Sequence, residues 1–137
     1  MDGSRLGQQV SAFAEIGALS PQQIWDGVRG RAVHGERVTL SVVELKADTL
    51  IPEHSHENEQ VGMVIVGSLR FRVGDEVREL GPGGTWCIRP HLPHEVRTGP
   101  DGAVVVEVFA PGRDDWKQLE RDEPEEPRWP PRRPKGG

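Results

Sequence analysis

The chain has 137 residues, enough for one domain with a real core and too few for two. Hydrophobic residues make up only 34%, while 17 Gly and 12 Pro leave many turns and little room for long helices, which predicts an all-β sandwich or barrel. The net charge of −5 argues against nucleic acid as a main partner, because phosphate binding needs a basic surface. No apolar run approaches the ~18–20 residues that span a bilayer, and the N-terminus lacks the basic-then-apolar order of a leader, so no membrane association and a cytoplasmic location are expected. Cys87 is the single cysteine, which excludes an intrachain disulfide and a multi-Cys structural zinc site.

Residues 1–24 read as an N-terminal arm. Phe13, Ile16 and Leu19 sit three apart and allow a short helical turn, which Ser20-Pro21 interrupts. Trp25-Asp26-Gly27 reads as a strand edge and a turn. From Val38 to Leu45 the β-branched run suits a strand. Leu50-Ile51-Pro52 leads into a histidine-rich stretch. Residues 61–66 form a buried-strand run turned by Gly67. Leu69, Phe71 and Val73 then alternate with Arg70 and Arg72. Gly74-Asp75 is a hairpin turn, and residues 76–80 run back from it. Residues 85–88 form a short strand in which Cys87 is read as a small buried residue. After the corner from Pro90 to Pro93, residues 94–98 form a strand, residues 99–102 a turn and residues 103–109 a strong last strand. About eight short strands with turns every 8–12 residues is the jelly-roll or barrel pattern. Residues 114–120 allow one helical turn. Residues 117–137 form a tail, with five prolines after residue 123, that reads as extended or disordered. Trp129 within it is expected to dock on the barrel or on a neighbouring subunit.

Four of the five histidines fall in two clusters. His54-Ser55-His56 lies on or beside a strand, where residues i and i+2 share a face. The second cluster, His91-Leu92-Pro93-His94, is about forty residues on. A mononuclear metal site needs three or four converging ligands. His54, His56 and His94 meet that need, and Gln60, preceded by Glu59, offers an oxygen in the fourth position. Neutral ligands leave a divalent ion its full charge for polarising a substrate. His34 and His91 are read as surface or satisfied polar residues.

His54-Ser-His56-Glu-Asn-Glu-Gln60, followed by six residues and Gly67, resembles the first motif of the cupins. Gly81 through Pro90-His91-Leu92-Pro93-His94 resembles the second, with His91 where the family usually has glycine. The resemblance implies a double-stranded β-helix, the cupin jelly-roll barrel, over residues 25–116. The first motif usually carries a glutamate ligand. Adjacent strand residues face opposite ways, so only one of Glu59 and Gln60 can point at the metal, and the Glu-Gln ending resembles a branch that uses glutamine.

Trp25-Asp-Gly-Val28 and the stretch from Glu107 to Trp116 extend the likeness to the pectin-degradation cupins, which convert 4,5-unsaturated uronates to a linear keto form. In that family an acid, an aromatic and an arginine near the end of the last strand contribute to the site. The matching residues are Glu107, in place of aspartate, with Phe109 and Arg113. Glu107 and Arg113 are then candidate catalytic groups, and Phe109 and Arg113 candidate substrate contacts. The resemblance also implies a homodimer. Three functions stay open: a Lewis-acid enzyme acting on a small carbonyl or sugar acid, an iron-dependent dioxygenase, or a non-catalytic small-ligand binder. The ion (Ni, Zn, Fe or Mn) and the small-molecule substrate are not specified by the residues.

Overall fold

A computed structural model describes residues 11–131. It contains eight strands: β1 (Gln22–Trp25), β2 (Val28–His34), β3 (Thr39–Leu45), β4 (Leu50–His54), β5 (Glu59–Val73), β6 (Glu76–Leu80), β7 (Thr85–Ile88) and β8 (His94–Ala110). Two short 3₁₀ turns, Ile16–Ala18 and Asp114–Gln118, flank them. No helix among the described residues is long and apolar enough to cross a membrane.

All strand pairings are antiparallel, and β5 and β8 run beside each other for nearly their whole length. The first half of β5 and the second half of β8 belong to one face, where β8 also pairs β3 and β5 also pairs β7. The second half of β5 and the first half of β8 belong to the other, beside β6 and β4. The result is the jelly-roll barrel expected from the turn spacing. Long strands that change sheets need a bend, and the register of β5 against β8 shifts around Val64–Leu69. Gly67 (φ 80°) and Gly102 (φ 65°) face each other at that bend. A Cβ on Gly67 would stand 2.1 Å from the carbonyl oxygen of Gly102, so no side chain fits there.

Five expectations change. Residues 61–66 and 69–73 are one bent strand, and the stretch expected to turn at 99–102 continues within β8. The sheet begins at Gln22, inside the expected arm, and β2 is a strand beyond those expected. Cys87 is exposed, because Trp86 and Ile88 on either side point inward.

Alternating inward residues such as Val43, Leu45, Val64, Leu69, Phe71 and Ile88 fill the barrel. The C-terminal segment is fastened to the outside of β1 and β2. Arg121 bridges Gln22, and the amide of Asp122 donates to the carbonyl of Pro21 at 2.7 Å. The guanidinium of Arg31, 1% exposed, donates to the carbonyls of Leu19 and Glu125 at 3.0 and 2.6 Å and pairs with Glu44 at 3.3 Å. Trp129 is half-buried. The last six residues of the expected tail lie outside the described residues.

Candidate metal centre

His54 closes β4 and His94 opens β8, and the two are direct partners in the β4–β8 ladder. His56 sits two residues beyond β4, in the link to β5 rather than on the strand. The three rings nevertheless converge, with centroids 4.2, 4.9 and 5.8 Å apart and one nitrogen of each within 4.8 Å of the others. Among the described residues this is the one cluster of His, Cys, Asp or Glu with metal-ligand spacing.

The second nitrogen of each ring is tied to a nearby backbone carbonyl. His54 Nδ1 lies 2.9 Å from the oxygen of Pro52, His56 Nδ1 2.9 Å from that of Asn58, and His94 Nδ1 2.8 Å from that of Leu92. A carbonyl accepts, so each Nδ1 carries the proton and each neutral ring presents an Nε2 lone pair. Burial holds the His94 imidazole well below its ordinary 6.5, at about 4, and lowers His56 as well. Both rings are thus neutral, as metal ligation requires.

Gln60 is buried on the inward face of β5, while Glu59 beside it is exposed. The amide of Gln60 donates Nε2–H to the Glu107 carboxylate, which turns Oε1 toward His56 Nε2 at 2.9 Å. Two acceptors are then face to face. A cation between them removes the conflict. The Nε2 of His94, buried with no hydrogen-bond partner, makes the same demand. The donor set of three imidazoles and one amide oxygen therefore fits a divalent ion.

Glu107 projects inward from β8 and is 8% exposed. Burial raises its pKa, against the lowering effect of hydrogen bonds from Gln60 and Trp86. The Trp86 indole donates to Oε2 at 3.1 Å, and Gln60 bonds that same oxygen. Oε1 receives no hydrogen bond from the described residues. Gly62 pairs with both Trp86 and Glu107 across its two neighbouring strands. A Cβ there would lie 2.6 Å from the indole, so this glycine makes room for the ring.

Phe109 is 2% exposed and packs edge-on against His56 and Trp116. Arg113 leaves the end of β8 and lays its guanidinium over Phe109 and Trp116, 4.9 and 4.5 Å from their centroids. Its Nε–H and one Nη2–H are taken by Asp115 at 3.1 and 3.0 Å, which leaves Nη1 and the second Nη2–H as donors for a ligand. This pairing lowers the Asp115 pKa. Every expected site residue, the three histidines, Gln60, Glu107, Phe109 and Arg113, lines one cavity of about 610 Å³ of empty space, part of it open to solvent. Trp25, Trp86 and Trp116 line it too and were not expected. For Trp86 the alternation of β7 carried the signal.

His91 and His34 stand apart. His91 is exposed at φ 67°, the left-handed conformation that glycine adopts most readily, and its amide donates to the carbonyl of His56 at 2.7 Å. His34 Nδ1 meets Thr39 Oγ1 at 2.9 Å.

The family model for the Cupin domain (Cupin_2) matches residues 41–110, slightly more than half of the chain. The chain belongs to the cupin family.

Solved structures agree on the fold of this cupin. KdgF from a Halomonas species aligns with a TM-score of 0.71 at 23% identity, over 77% of this chain and 98% of that one. An RmlC-like cupin from Shewanella frigidimarina aligns at 0.72 and 21% identity, over 79% and 97%. Oxalate decarboxylase from Bacillus subtilis aligns at 0.65 and 23% identity, over 76% of this chain and 30% of that one.

Proposed function

We propose that this cupin is a metal-dependent enzyme acting on a small carbonyl compound or sugar acid, in the manner of uronate linearisation. The observation that carries the reading is the placing of a buried, hydrogen-bonded carboxylate, Glu107, next to Gln60 inside the same cavity as three converging imidazoles. His54, His56, His94 and Gln60 would hold the ion. When bound, a divalent ion supplies Lewis-acid polarisation of a substrate oxygen.

The remaining work belongs to the chain. Glu107 Oε2 is fixed by two donors, so Oε1 is the atom that accepts and returns a proton. Burial raises its pKa, which favours its returning a proton as well as accepting one. The Arg113 guanidinium is the group for a substrate carboxylate, held in place by Asp115 and the two aromatic faces. Phe109 and Trp116 keep water from that side.

A second reading, an iron-dependent dioxygenase, is favoured by the apolar lining of Val43, Leu45, Ile51, Leu69, Val96 and Val105. Loading the protein with nickel, zinc, manganese or ferrous iron and screening unsaturated uronates and diketones separates the two. Ultraviolet loss of the uronate without oxygen consumption supports the first; oxygen uptake with iron alone, and no turnover of uronates, contradicts it.

The homodimer implied by the family likeness has a candidate surface. Val33, Leu40, Val108 and Val61 are successive register partners across β2, β3, β8 and β5, each between 37% and 46% exposed. A row of apolar side chains across four strands suits a second copy of the same sheet.

A further inference from the structure

Asn58 lies between the His56 ligand and β5, and it is 6% exposed. Its two ends face different parts of the site. The backbone oxygen accepts from His56 Nδ1 at 2.9 Å. The side-chain amide reaches the other way, donating to the carbonyls of Pro111 and Gly112 at 2.6 and 3.3 Å. Those two residues immediately precede Arg113. The same turn is held from the opposite side by Thr39, fully buried, whose Oγ1 accepts from the amide of Arg113 at 2.8 Å. Gly112 is pressed close enough to Thr39 that a Cβ would stand 2.9 Å from the hydroxyl.

We propose that Asn58 is a positioning residue that couples the metal-facing ring of His56 to the turn that presents Arg113. Neither end suffices alone. A metal on Nε2 polarises the ring and strengthens the Nδ1–H bond to the Asn58 carbonyl, which fixes the Asn58 backbone. The fixed backbone sets the amide that grips Pro111 and Gly112. The arginine is thereby held in register with an occupied metal centre. An alanine at 58 retains the first bond and loses the second, so ligation survives while the turn is released.

This inference rests on the reading that Arg113 faces the substrate, and the two fail separately. Arg113→Ala leaving the affinity for a carboxylate substrate unchanged would remove that reading without touching the coupling. The coupling itself is measured by hydrogen exchange on the full chain, with and without Zn²⁺, in wild type, Asn58→Ala and Asn58→Asp. The aspartate keeps the volume and replaces the donor, which covers the case in which alanine fails to fold. Zn²⁺ affinity in the variants is expected within about threefold of wild type. Exchange over residues 112–116 is expected about five- to tenfold faster, as for loss of one buried hydrogen bond. Zn²⁺ is expected to slow exchange of this turn in wild type and to leave it unchanged in both variants. Persistence of the Zn²⁺ effect in the variants, its absence in wild type, or loss of Zn²⁺ binding by both variants overturns the proposal.

Discussion

The indole of Trp86 occupies the space that a Cβ on Gly62 would need, 2.6 Å away. That contact seats the indole against Glu107. Gly62→Ala therefore forces Trp86 to move and removes a donor from a buried carboxylate. The expected cost is about 1–3 kcal/mol, from overpacking and the lost hydrogen bond together. Urea unfolding checks it, and a variant as stable as wild type would show that the ring has room to shift.

The acid side of the stability profile follows from the buried histidines. In the metal-free chain the folded His94 stays neutral until about pH 4, while the unfolded chain takes up a proton through 6.5. Its contribution is thus complete above 6.5 and declines as pH falls toward 4. Glu107, raised by burial, acts in the opposite sense: its contribution is complete at low pH and is lost as pH rises through its folded value. Comparing wild type with His94→Gln in the presence of a chelator isolates the first effect. The variant should show a shallower loss of stability between pH 6.5 and 4; equal slopes would mean that His94 is not buried neutral.

Arg31 and the C-terminal segment depend on each other. Arg31 is buried at 1% exposure and shares its charge among Glu44 and two carbonyls, one of them from Glu125. Arg31→Ala is expected to cost about 2–4 kcal/mol. Truncation after Glu120 should also destabilise, and the two changes together should cost less than the sum, because they remove the same contact. Additive losses in thermal unfolding would show that the segment does not act through Arg31.

The dimer surface gives a simple test by light scattering. Val61→Asp with Val108→Asp places two charges in the middle of the apolar row. Wild type is expected to be dimeric and the double variant monomeric at about 100 μM. A monomeric wild type at that concentration would sink the assignment.

Much of the barrel was legible because strands such as β3, β6 and β7 carry their own alternation or β-branched runs. The converging histidines were legible for a related reason: His54 and His94 stand at the ends of strands that pair, and His56 follows two residues after the first. β2 was not. Its sequence, with two arginines and a glycine, looks polar, and Arg31, on the outer face, becomes a buried residue only because a segment ninety-four positions later covers it and supplies a carbonyl. The bend that joins two apparent strands into β5 was also hidden, since Gly67 reads as a turn until Gly102 is seen opposite it. The roles of Asn58 and Trp86 are set by partners distant in sequence, Pro111 for the one and Glu107 for the other.

The central claim is that His54, His56 and His94, with Gln60, hold one divalent ion. Titration calorimetry of Zn²⁺ into chelator-treated protein tests it most directly. Wild type should bind one equivalent per chain, Gln60→Ala should bind about ten- to a hundredfold more weakly, and His56→Ala and His94→Ala should lose stoichiometric binding. Stoichiometric binding that survives in His94→Ala, or no binding by wild type, would contradict it.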